Sequence, residues 1–270
     1  MLLDRGVRRQ IEKQNVSWLF EDVENIFRSS DAVIINLECP ITDTLSPVNK
    51  RFIFRADSDV SPALRKAGIT HAALANNHTI DQGRRGLTST AYYLRQAGIT
   101  PLGYGENQEA ACRPVIISKK GMEIAVFNSV LLPLENWVYL EGQPCVCQAS
   151  VEDLAIRIRT LKAEKPNCRV VAALHWGIEY HSKPTDRQRR DAYCLIDAGA
   201  DAIVGHHPHV VQEEEFYKSK PIFYSLGNFV FDPIYPDAKK SRLLQLIFGK
   251  EGISYRMKEM KIEECRPCFF

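Results

Sequence analysis

The chain has 270 residues, 45% of them hydrophobic and 25% charged, which is the profile of an ordinary globular protein with enough apolar material for a sizeable core. Its 35 Lys and Arg balance 33 Asp and Glu, so no overall field draws in nucleic acid or an anionic membrane, and any preference for anions is local. No stretch reaches the roughly 20 apolar residues that a membrane span needs, and charges run through the first thirty residues, so neither a transmembrane helix nor a signal peptide is expected. As written, the chain reads as cytoplasmic.

Taken in order, Met1 to Arg9 begins as though a strand had preceded it. Trp18, Leu19, Val23, Ile26 and Phe27 have the spacing of an amphipathic helix over 17–28. Residues 32–38 follow as a buried strand that stops at Glu38, with Pro40 ending the ladder. Residues 43–59 are polar and carry Lys50, Arg51 and Arg55 among Phe52, Ile53 and Phe54; they read as a solvated loop or edge strand, or as an anion contact through Arg51 or Arg55.

A phrase then recurs: helix end, glycine, short apolar strand and polar tip, around Gly68, Gly98 and Gly199. Glycine there suits the left-handed position that closes a helix, and helix followed by strand at unequal intervals signals an α/β fold rather than a tandem repeat. The helices expected are 61–67, 84–96, 151–163 and 187–198. Residues 115–118 and 123–128 form a hairpin about Lys119-Lys120-Gly121, and 131–150 lose all periodicity. Buried runs at 169–177, 202–205 and 221–229 end at His175, at His206-His207-Pro208-His209 and at Asn228. A closing hairpin pairs 243–248 with 253–260 through Gly249-Lys250-Glu251-Gly252. No linker interrupts this pattern, so 1–270 is expected to be one domain.

The eight cysteines are scattered through a chain long enough to fold without staples. Cys168 and Cys194 read as reduced core residues, and Cys265-Arg266-Pro267-Cys268, lacking a second CxxC pair, is weak evidence for zinc or redox chemistry.

In an α/β sheet, ligands gather outside the carboxyl ends of the strands, where loops present side chains without burying them. Glu38, Asn77 with His78, His175, and His207 with His209 all stand there. One carboxylate, one carboxamide and these imidazoles form a mixed oxygen and nitrogen set suited to a divalent manganese, zinc or iron ion, with room for two. Singly, each has a plainer role: Glu38 as a turn cap, His175 as a core residue beside Trp176, Asn76-Asn77 as a turn. His71 and His181 lack the placement and read as structural.

The ordered set Asn76-Asn77-His78 with Asp81 and Gly83, His175-Trp176-Gly177, Gly205-His206-His207-Pro208-His209 and Ser225-Leu226-Gly227-Asn228-Phe229 resembles the bacterial capsule synthesis protein CapA family, linked to poly-gamma-glutamate production, and Asn36-Leu37-Glu38 is similar to another of its motifs. The resemblance runs from about residue 1 to 232. It implies a four-layer α/β/β/α sandwich like that of metallo-dependent phosphatases, with Glu38, Asn77, His175, His207 and His209 as metal ligands. It further implies that His78 donates a proton to the leaving group while Asp81 orients it. Family members usually open with a strand ending in Gly-Asp just before a segment like Met1 to Val7; this chain starts after that pair, and Asp4 comes too late to replace it.

The expected function is capsule or poly-gamma-glutamate biosynthesis by a metal-dependent hydrolase acting on a small phosphoester or a gamma-glutamyl amide. The alternative is a non-catalytic part of a polymer synthesis or export assembly that works with other capsule synthesis proteins. Such a part would hold an anionic chain through Arg51, Arg55 and the group Arg187, Arg189 and Arg190, the last of which also reads as a solvated helix face. A leader upstream would make the protein membrane-associated or extracellular.

Overall fold

The computed structural model describes residues 1–249 and 252–270; Lys250 and Glu251 of the expected closing turn lie outside the described residues. Two sheets dominate. The larger has six strands in the order Glu214–Tyr217, Lys220–Phe223, Ala202–His206, Arg169–His175, Met122–Val130 and Val115–Lys119. Its inner strands run parallel and its two edges antiparallel. The smaller is parallel throughout, Ile34–Asn36 pairing with His71–Ala73 and that with Thr100–Leu102.

The sheets meet over small and branched side chains, since Ala73 and Leu102 of one are buried with Val126 and Ala173 of the other. A polar tie crosses the same seam: Asn128 Oδ1 accepts from Ala75 N at 2.9 Å and its Nδ2 donates to Ala173 O at 3.0 Å. Both bonds are buried, where a hydrogen bond fixes register at little net cost but an unmade one is expensive. With helices between its strands in sequence, the chain is an α/β sandwich of two packed sheets.

The helices form where capping and apolar spacing agree. Val151–Glu164 starts at Ser150, whose side chain accepts from Asp153 N, and buries Leu154, Ala155 and Ile158. Asp186–Asp197 starts in a full capping box of Thr185 and Gln188 and buries Ala192, Leu195 and Ile196. Gly68, Gly98 and Gly199 all have positive φ, as helix-ending glycines should.

Several expectations need correction. The helix anticipated over 17–28 divides into a short 3-10 turn, Ser17–Phe20, and a helix, Glu24–Ser29, while an unanticipated helix spans Gly6–Lys13. Residues 43–59 contain no strand; Ala56 within them makes an isolated bridge to Ile41. The closing hairpin is longer, Lys240–Phe248 with Ile253–Glu263, and a third strand, Arg266–Phe269, absorbs the CxxC segment into a sheet. Cys168 and Cys194 are free thiols, but Cys112 forms a disulfide with Cys147 inside the irregular 131–150 stretch, so the chain does carry a staple.

Candidate metal centre

The strand ends deliver their side chains to one place. Glu38 stands two residues past the end of Ile34–Asn36; its N–H donates to Met1 O at 2.8 Å, which draws the first residues in beside the small sheet. Its Oε1 accepts from Asn36 Nδ2 at 2.7 Å, and its Oε2, sealed from solvent, has no hydrogen-bond partner. That orphan oxygen lies 3.8 Å from His209 Nε2. Burial opposes the charge on Glu38, but the neighbouring His209 leads the effects that more than offset it and hold the carboxyl well below its ordinary value.

His175 ends the strand Arg169–His175 and is 1% exposed. Its Nδ1 faces Asn36 Nδ2 at 3.3 Å and its Nε2 lies 2.9 Å from Asn77 Oδ1, so a carboxamide oxygen and an imidazole nitrogen point at each other. Burial pushes the His175 pKa well below normal, leaving the ring neutral and able to offer a lone pair. Asn76, beside Asn77, builds the turn: its Nδ2 donates to Leu37 O at 2.8 Å and its Oδ1 accepts from His78 N and Thr79 N.

The third contribution comes from the turn after Ala202–His206. Within that strand Gly205 leaves no room for a side chain, because a Cβ would sit 2.1 Å from Tyr224 O and 2.3 Å from Trp176 Nε1. Close packing there brings the turn down onto the sheet edge. His207 and His209, with φ of 102° and 58°, flank Pro208 in conformations that few non-glycine residues adopt, a cost typical of functional sites. The His207 ring stands 4.9 Å from that of His175 and 6.0 Å from that of His209, between centroids. His207 Nδ1 is sealed from solvent without a partner, and burial together with His209 lowers its pKa to about 4. His209 Nδ1 pairs with Asn228 Oδ1 at 2.8 Å, which turns Nε2 towards Glu38. Asn228 is itself anchored through Nδ2 to His209 O and Ala238 O.

Beside this group lies a second, fully bonded one. His78 Nδ1 contacts Asp81 Oδ2 at 2.8 Å, and the same oxygen accepts from Phe54 N at 2.9 Å. Asp81 Oδ1 accepts from Lys50 Nζ at 2.7 Å, and Lys50 also donates to Asn77 O at 2.6 Å. The Phe54 ring packs on His78 with centroids 4.5 Å apart. The polar 43–59 segment is therefore a strap that closes over the His78 and Asp81 pair.

The donors fit a divalent cation. Two sealed atoms without partners among the described residues, Glu38 Oε2 and His207 Nδ1, with His209 Nε2 3.8 Å from the former and the mutually bonded Asn77 Oδ1 and His175 Nε2 nearby, form a mixed oxygen and nitrogen set of the kind divalent cations take. The structure thus places Glu38, Asn77, His175, His207 and His209 around one region, with His78 and Asp81 alongside.

The family described as bacterial capsule synthesis protein PGA_cap matches residues 1–233, which takes in every side chain of this region. The chain belongs to the PGA_cap family. Similar PGA_cap relatives include the capsule biosynthesis protein CapA of Bacillus anthracis, 33% identical across 93% of this chain and 63% of the relative. The PGA biosynthesis protein CapA of Bacillus subtilis is 32% identical across 99% and 71%. This PGA_cap chain therefore spans less than two thirds of the B. anthracis protein's length. In fold it is similar to a hypothetical protein from Thermus thermophilus, with a TM-score of 0.57 at 14% identity over 91% of this chain and 94% of that one. The Haemophilus influenzae NAD nucleotidase has a TM-score of 0.50 at 16% identity, over 77% of this chain and 45% of that one.

Some contributors to the PGA_cap site carry no sequence signal that singles them out. Asn36 stands inside the Asn36-Leu37-Glu38 motif but has no role of its own in the sequence reading, and Lys50 reads as one charge in a polar loop. Arg55, a candidate anion contact, is instead committed to Asp57 at 2.6 Å and Thr42 O at 2.8 Å, and Arg51 lies over Phe52 on the exposed side of the strap. Arg187 pairs with Asp191 at 3.5 Å and Arg189 with Glu213 and Glu215, so two of the three arginines on that helix already have carboxylate partners. Asp4 accepts from Arg5 N, from the Arg8 side chain and from the distant Arg55 N. Among the described residues no helix is long and apolar enough to cross a membrane.

Proposed function

We propose that this chain is a metal-dependent hydrolase of capsular poly-gamma-glutamate biosynthesis, acting on a phosphoester or a gamma-glutamyl amide. The observation that carries the reading is the pair of sealed, unpartnered atoms, Glu38 Oε2 and His207 Nδ1, set beside a bonded His78 and Asp81 pair. Each buried polar atom left unbonded costs about 1–3 kcal/mol, and of the seven such side-chain atoms among the described residues these two fall in one site. Membership of the PGA_cap family and the CapA names of its relatives support the biological role and fit an anionic polymer as substrate and other synthesis proteins as partners.

Glu38, Asn77, His175, His207 and His209 would hold manganese, zinc or iron, as one ion or two. When bound, a divalent cation supplies polarisation of the scissile ester or amide and a nucleophile at neutral pH. The chain's own groups supply the rest. With Nδ1 held by Asp81, His78 keeps Nε2 for protonating the departing oxygen or nitrogen. Lys50 neutralises and fixes Asp81, and Phe54 covers the ring and excludes water.

The test is hydrolysis of a generic phosphodiester and of a gamma-glutamyl peptide with added manganese. The His207→Ala, His209→Ala double variant is expected to lose turnover on the order of 100-fold or more. Equal rates for the variant and the parent chain would exclude this site.

A further inference from the structure

Glu179 has no place in the ligand set above, yet its carboxylate offers an oxygen that lies, with one ring nitrogen each of His207 and His209, in a cluster whose members are all within 4.8 Å of one another. Three potential ligand atoms at that separation can reach one ion of ordinary size after small side-chain rotations. The backbone aims the group. Ile178 to His181 is a tight turn closed by His181 N donating to Ile178 O, with Tyr180 in the left-handed region at φ 62°. Tyr180 N donates to Pro208 O at 2.8 Å, so the Glu179 turn is pinned to the very turn that carries the two histidines. The Tyr180 ring also stacks on His209 at 6.0 Å.

Charge gives the carboxylate a reason to be there. The set Glu38, Asn77, His175, His207 and His209 contains one anionic side chain, and neutral imidazoles and amides do not offset two positive charges. The carboxylate placed within reach of His207 and His209 is that of Glu179. We propose that Glu179 is a solvent-side ligand that completes the cation position at His207 and His209, supplying the second carboxylate of the site. The proposal rests on reading this region as a metal centre. Because Glu179 is exposed while Glu38 is 6% exposed, the two carboxylates have different duties. Glu38 is buried and held by Asn36, whereas Glu179 would reach a cation at His207 and His209 from the solvent side.

The experiment is calorimetric titration of the full chain with manganese and with zinc at 0.15 M salt, where long-range attraction is screened beyond about 8 Å. Glu179→Gln is compared with the parent chain and with Glu179→Asp, and the melting temperature without added metal confirms that each variant folds. The expected result is an affinity lowered on the order of tenfold by Glu179→Gln, with Glu179→Asp, which keeps the charge but withdraws its oxygens, falling between. A loss of threefold or more with Glu179→Gln supports the assignment. A smaller loss in a chain that binds the ion overturns Glu179 while leaving the metal centre standing, and failure of the parent chain to bind either ion overturns both.

Discussion

On the His78 side of the site both oxygens of Asp81 are taken, by His78, Phe54 N and Lys50; on the His207 side, Glu38 Oε2 and His207 Nδ1 have nothing to bond. Both sides are built from the same kinds of group at neighbouring strand ends, and both lie largely out of water. The difference is that one is complete within the chain and the other is complete only with something added. A satisfied buried network holds its members in one geometry. An unsatisfied one persists where binding offsets its cost.

The sharpest way to break this division is Asp81→Asn. Turnover is expected to fall on the order of 10²–10⁴-fold as His78 loses its anionic partner, while cation affinity measured by calorimetry stays within a few-fold. Lys50, 4% exposed and now without its carboxylate, should also lower unfolding stability by about 3–5 kcal/mol in urea. Adding Lys50→Met should restore much of that stability and none of the rate. If cation affinity fell as far as the rate, the two sides would be one unit.

Acid should act on the other side. Burial, with the neighbouring His209, holds His207 at about 4, against an unfolded value near 6.5. Above pH 6.5 the ring is neutral in both states and contributes nothing. As pH falls from 6.5 to 4 the unfolded chain gains a proton that the folded chain refuses, so stability drops by up to about 3 kcal/mol and then levels off. Urea unfolding at pH 7 and pH 4.5 should show a smaller difference for His207→Ala than for the parent chain, and identical slopes would mean that this ring is not held neutral.

The mildest change is Asn228→Ala, which removes the acceptor that orients His209. Cation affinity should fall about tenfold, with the rate at saturating cation little altered. A rate loss without an affinity loss would assign Asn228 to the catalytic side instead.

Much of the scaffold was legible because local chemistry and tertiary structure agree. The glycines that end helices have the positive φ their position demands, and the helices 61–67, 84–96, 151–163 and 187–198 appear within a residue of those bounds. The strand-end positions of Glu38, Asn77, His175, His207 and His209 were legible because a strand that stops at a polar residue says where that residue sits. What escaped depends on contacts between distant segments. The carboxylate that buries Lys50 is 31 residues away, and nothing in the polar 43–59 stretch reveals that it folds over His78. Glu179 gains its place only through the bond from Tyr180 to Pro208. The helix over 17–28 divides at Glu21 to Val23, and neither piece has a side-chain cap at its start.

Cys112 and Cys147 lie 35 positions apart, with Cα atoms 4.8 Å from each other, and the second closes the aperiodic stretch that ends at Ser150. Closing a loop of that span contributes about 3–4 kcal/mol on chain-entropy grounds, an appreciable share of the total for a domain of this size. Material folded among reducing thiols and material folded in an oxidising compartment would then differ in heat resistance and protease resistance despite an identical polypeptide. Choice of expression host becomes part of any biochemical comparison made with this protein.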